Sequence, residues 1–264
     1  MNNLYLLYGT VGLVSGLYSS CWGSYKDSPF EKFSSKKFAR SLTAGSLLGI
    51  ILFEFLKING VSSPNLGIFF AFVMTFERTF TEFFKAFIRV EDQDKYKIPS
   101  TFHILGKIIK NRSDRLIIGI ILLITIIFAF YMPVLLPLWF LPRIYSGLVW
   151  GLVAGLAIAL GGAWKDAPME GFFPVKFFRS PVIAGIWGSI FSLFTGNYSF
   201  IFFSCVGAER MTTELYKTFI KKNIPGKFKA SEPLYIDWVS KRKVIVAPYV
   251  FAWIIFSILL LYEI

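Results

Sequence analysis

Between Arg115 and Arg143 the chain runs for 27 residues without a charge. Few folds accept such a stretch. About 20 consecutive apolar residues cross the hydrocarbon core of a bilayer, and a helix satisfies every backbone polar group within the segment. Residues 2 to 25 are also uncharged. With no basic leader and no small-residue cleavage site, they read as a retained helix near Leu4 to Trp22, not a signal peptide. The same pattern predicts helices over 41–57 and 66–88, joined by a turn-rich Gly60 to Asn65, and a fourth from Leu116 that ends or kinks at Pro133. It then recurs over Ile144 to Trp164, 180–194, 199–220 and Val244 to Tyr262. The expectation is an all-α integral membrane protein with about eight transmembrane helices. The shortness of 180–194 leaves open that the pairs 41–57/66–88 and 180–194/199–220 are re-entrant.

A chain that is 55% hydrophobic still carries 28 Lys and Arg against 16 Asp and Glu, a net charge of +12. Placed on these spans, 24 of the 28 cations fall in four loops on one face. Basic loops mark the cytoplasmic side, so both termini are expected outside. The excess therefore reports topology and gives no reason to invoke nucleic acid. Cys21 and Cys205 sit in apolar stretches and build no disulfide framework. A lone His103, read as a loop surface residue, rules out multi-histidine zinc or haem sites.

The chain also repeats itself. At a constant offset of 139, residues 12–41 and 151–180 are identical at 15 of 30 positions. A second block, Glu77 to Ile88, recurs as Glu209 to Ile220 and retains Glu77/Glu209, Arg78/Arg210, Thr81/Thr213, Glu82/Glu214 and Lys85/Lys217. The halves are thus 1–142 and 143–264. Four helices per half means that both insert the same way round, as parallel repeats about a pseudo-twofold axis along the membrane normal. Gly12-x-x-x-Gly16 and Gly151-x-x-x-Gly155 put small residues on one face of helices 1 and 5, which seats a helix 1 to helix 5 contact on that axis.

The duplicated charges are the candidate site. In the interfacial motif they are Lys26, Asp27, Glu31, Lys37 and Arg40, with Lys165, Asp166, Glu170, Lys176 and Arg179 in the second copy. On helices 3 and 7 they are Glu77, Arg78, Glu82 and Lys85, with Glu209, Arg210, Glu214 and Lys217. One account is structural. Asp27 and Asp166 would cap short interfacial helices, Pro29 and Pro168 would sit in their first turns, and Arg78–Glu82 and Arg210–Glu214 would pair at i, i+4. Capping does not explain why the cations recur as well. Ionised groups at membrane depth cost a few kcal/mol unless paired or wetted, and they usually face a cavity. Lys and Arg beside orienting acids suit a phosphate or carboxylate.

The spacing Asp166-x-x-x-Glu170, then Arg179-Ser-Pro181-x-x-x-Gly185, resembles the cytoplasmic signature of UbiA-type prenyltransferases. That resemblance implies Mg²⁺ held by Asp27, Glu31, Asp166 and Glu170, with a prenyl diphosphate on Lys37, Arg40, Lys176 and Arg179. The chain departs from the signature at Gly162, Glu170 and Ser180, and at Leu42 in the first copy, so no family is assigned. Three functions stay open. The first is a transporter or lipid translocator for an anionic solute or headgroup, phosphorylated ones included. The second is a Mg²⁺-dependent enzyme acting on a lipid phosphate or diphosphate, and the third is an assembly subunit whose charges only pack helices.

Overall fold

A computed structural model describes residues 2–138, 140–222, 228–230 and 232–262. It is overwhelmingly helical: α1 (Asn2–Glu31), α2 (Ser35–Ile58), α3 (Leu66–Phe83), α4 (Arg112–Leu135), α5 (Arg143–Glu170), α6 (Pro174–Phe191), α7 (Tyr198–Leu215), α8 (Ile236–Lys241) and α9 (Val246–Leu261). A small antiparallel hairpin pairs β1 (His103–Ile104) with β2 (Lys107–Ile108). Among the described residues, five segments are long and apolar enough to cross a membrane: α1, α2, α4, α5 and the run from α8 through α9. The 18-residue helices α3 and α7 carry the charged blocks, and α6 opens on Lys176 and Arg179. Asn65 and Asn197 cap α3 and α7, their side-chain oxygens accepting from the Ile68 and Phe200 amides at 3.0 and 2.9 Å. In both copies the helix widens into a π turn at the same place, Phe84–Ile88 and Tyr216–Ile220.

Three expectations are corrected. First, Asp27 and Asp166 start no new helix. α1 and α5 run on through Pro29 and Pro168 and break only at Lys32 and Gly171, both left-handed with φ of 64° and 82°. Ser34 and Phe173 then stand at the N-caps of α2 and α6. A proline inside a helix frees the carbonyl four residues earlier, and at membrane depth that carbonyl needs another donor. For Pro29 it is Tyr25, whose oxygen accepts from Arg242 Nη1 at 3.2 Å while the guanidinium lies 4.6 Å over the Tyr25 ring. Replacing Arg242 with Ala is expected to cost about 1–3 kcal/mol, since it strands that carbonyl. The readout is a lower melting temperature in detergent, and an unchanged one would show that the bond carries no stability.

Second, the glycine stripes are used inside each copy, between its first two helices. A Cβ on Gly12 would sit 2.9 Å from Gly49 Cα and closer still to the Gly45 carbonyl oxygen. One on Gly151 would sit 2.9 Å from Gly185 Cα. The α1–α2 and α5–α6 backbones therefore touch along these faces, which leaves the stripes no room to serve as a helix 1 to helix 5 seam. His103 also differs from its surface reading, being only 4% exposed.

The chain forms two compact units that cut across the duplication. One gathers residues 1–78 with 221–224 and 230–264, the other 79–220 with 225–229. The last helix of each copy thus packs among helices of the other copy. In the first unit α9 lies against α1 and α3. Tyr18 and Tyr249 hydroxyls meet at 3.1 Å, Asn65 Nδ2 donates to the Leu260 carbonyl at 3.2 Å, and a Cβ on Gly67 would come within 2.5 Å of Leu260 Cα. In the second unit α4 reaches α7, with Phe130 and Phe203 rings 5.9 Å apart.

Candidate functional site

The second unit holds a cavity of about 100 Å³ between the ends of α5 and α7 and the start of α6. That is room for about three waters, or for one small oxyanion. Its shape comes from small residues on α5. Ala159, Gly162, Ala163 and Ala167 recur at helical spacing along one face, and a methyl built on Gly162 meets nothing within 4 Å. Phe172, Phe173 and Phe177, from the turn opened by Gly171 and from α6, add an apolar wall.

Polar groups are graded by depth. Arg210 is exposed at the mouth, and Asp166, Lys176, Arg179 and Lys217 are half-buried. On the floor lie Ser180, Thr213 and Glu209, the last only 1% exposed. Ser180 Oγ donates to Glu209 Oε1 at 2.7 Å. Glu209 Oε2 and Arg179 Nε are buried with no hydrogen-bond partner among the described residues. Four cations face two carboxylates, so with every group ionised the lining is positive.

Six of the nine second-copy site residues expected from sequence thus share one cavity: Asp166, Lys176, Arg179, Glu209, Arg210 and Lys217. The other three stand around them. Glu214 accepts from Arg210 Nε at 3.2 Å, the i, i+4 pair read from sequence. Lys165 lies 3.8 Å from Glu82, which also holds Lys85 at 2.9 Å. Glu170 meets Lys97 and Lys176, each at 3.5 Å, and Lys176 reaches Asp166 at 2.9 Å. Asp166 and Glu170 therefore converge on the chain's own ammonium, which takes the place a Mg²⁺ ion would need between them. Among the described residues no three His, Cys, Asp or Glu side chains group as a metal site.

In the first copy the equivalent charges are arranged differently. Lys37 pairs with Glu31, Lys26 lies 3.7 Å from Asp27, and Arg40 is exposed. Over this motif the segment after α7 folds back: the Tyr235 amide donates to the Pro29 carbonyl at 2.8 Å, and Trp238 stacks on Phe33 at 5.3 Å. The second-copy motif carries the hairpin instead. Gly106 approaches Met169 and Pro168, and Lys97 reaches Glu170. Burial, with Lys165 next, holds the His103 imidazole below its ordinary range against the pull of Asp166, so it is neutral at pH 7. The helix 3 block divides between the units. Glu77 and Arg78 close the first, while Glu82 and Lys85 belong to the second.

Ser180 and Thr213 escaped the sequence-level site although both recur, as Ser41 and Thr81. Their recurrence was the available signal. The small-residue stripe on α5 recurs as well, as Ser20, Gly23, Ser24 and Ser28, and was a second signal. No family model, curated protein or solved structure matches the chain.

Proposed function

We propose that this protein is a membrane transporter or lipid translocator that binds an anion, a phosphorylated solute or headgroup included, in the α5–α6–α7 pocket. The observation that carries the proposal is the convergence of Lys176, Arg179, Arg210 and Lys217, four cations against the two carboxylates Asp166 and Glu209, on one small cavity that Phe172, Phe173 and Phe177 wall on one side. Arg and Lys bind phosphate through charge-assisted hydrogen bonds, which strengthen away from bulk water. One of the three helices that line the pocket, α5, is long and apolar enough to cross a membrane, which favours a cargo that has to cross or leave the bilayer. In this reading the basic loops face the cytoplasm, both termini lie outside, and the two halves are parallel repeats.

The test is uptake of inorganic phosphate, or flipping of labelled phosphatidic acid, in proteoliposomes carrying wild type or Arg179→Gln/Lys217→Gln. Two charge-assisted bonds are together worth about 3 kcal/mol or more. Affinity is therefore expected to fall at least about 100-fold, and movement of cargo with it. Unchanged movement in a folded double variant would return these charges to a packing role, that of the assembly subunit.

A further inference from the structure

Glu209 is out of place in an anion site. It lies on the floor, 1% exposed, with Oε1 held by Ser180 and Oε2 buried without a hydrogen-bond partner among the described residues. Oε1 joins α7 to α6 through Ser180 and the neighbouring Arg210 pairs with Glu214, which leaves Oε2 to be explained. Glu77, the counterpart in the first copy, is equally buried. The charged groups facing Glu209 come from each surrounding element: Asp166 from α5, Lys176 and Arg179 from α6, Arg210 from α7, and Lys217 from the π turn. Arg179, Arg210 and Lys217 all act on its charge.

In the absence of cargo, those cations offer an ionised Glu209 its counter-charge. An anion entering the same cavity competes for them. Two like unit charges about 4 Å apart repel, at an effective dielectric near 20, by an amount on the order of a thousandfold in affinity. The repulsion disappears if the carboxylate takes up one proton. We infer that Glu209 is the proton-coupling group of the pocket: binding of a phosphate-sized oxyanion draws one proton from water onto Oε2, so that anion and proton are carried together. The neutral carboxyl keeps the Ser180 bond at Oε1 and gains an O–H at Oε2 to donate to the bound oxyanion. The otherwise idle oxygen thereby acquires a use.

This inference rests on the anion-binding reading above, and one experiment separates the two. Full-length protein in phosphatidylcholine nanodiscs is titrated with inorganic phosphate and, separately, with short-chain phosphatidic acid, while difference infrared spectra record carboxyl protonation. Phosphate or phosphatidic acid is expected to bind wild type and raise a protonated-carboxyl band. The band is absent from Glu209→Gln, and the probe that binds identifies free solute or headgroup as the source. Between pH 7 and 8, wild-type affinity is expected to fall about tenfold relative to Glu209→Gln, as one linked proton requires. This ratio cancels the titration of the probe, and the infrared band separates the carboxyl from the pocket lysines. Binding without the band, or a band that persists in Glu209→Gln, overturns the coupling and leaves the site standing. Failure of both probes to bind wild type overturns the site itself. Should Glu209→Gln not fold, the wild-type band alone decides, since its absence on binding refutes the proposal.

Discussion

Replacing Gly151 with Ala is expected to destabilise the protein by about 3 kcal/mol, although Gly to Ala in a helix interior ordinarily stabilises by up to about 1 kcal/mol. The sign is reversed because the new methyl meets backbone. It would stand 2.9 Å from Gly185 Cα and from the Ala184 carbonyl carbon, and nearer still to the Ala184 oxygen. No rotamer relieves a backbone contact, so α5 and α6 would have to move apart by about 1 Å, given a normal C···O approach of roughly 3.3 Å. The control lies on the same helix. A Cβ on Gly161 meets nothing within 4 Å, so Gly161→Ala should be neutral or stabilising. Thermal unfolding in detergent checks both, and two melting temperatures moving the same way would refute the close approach. The consequence reaches the pocket, since α5 supplies Asp166 while α6 supplies Lys176 and Arg179.

Arg210→Gln is expected to lower stability by about 2 kcal/mol, which makes it a poor probe of binding when used alone. Its partner Glu214 is buried, with a side chain 5% exposed, against 49% for Arg210. Removing one member of such a pair leaves a buried carboxylate short of its counter-charge, a larger loss than the pair's own net worth. Adding Glu214→Gln should return most of the stability, because the leftover charge goes too, while leaving the pocket one cation poorer. Chemical denaturation of the single and double variants measures the first effect and phosphate titration the second. Equal stability of the two variants would show that Glu214 does not depend on Arg210.

Much of the site was legible as residues and little of it as geometry. The duplication pointed to Asp166, Lys176, Arg179, Glu209, Arg210 and Lys217, because charge retained in both copies, beside or within apolar helices, is costly to keep. It did not rank them by depth, and it treated Glu209 as one more charge. Depth depends on what α5 and α6 place over α7, and a one-dimensional pattern does not contain that. Pro29 and Pro168 misled for a related reason. Proline in sequence reads as the start of a helix, yet the carbonyl freed by Pro29 is satisfied by Arg242, 217 residues further along the chain.

By itself the sequence determined the helical class, the lengths of the apolar segments and the crowding of cations at their ends. Each of these follows from local chemistry: an uncharged run must satisfy its own backbone in lipid, and charge is tolerated where water begins. Tertiary structure alone decided that the glycine stripes join α1 to α2 and α5 to α6, since small residues permit close approach without naming a partner. It decided that the last helix of each copy packs among helices of the other. It also decided which duplicated charges face one cavity, with Glu209 on the floor. These are questions of which surfaces meet, and only packing settles them.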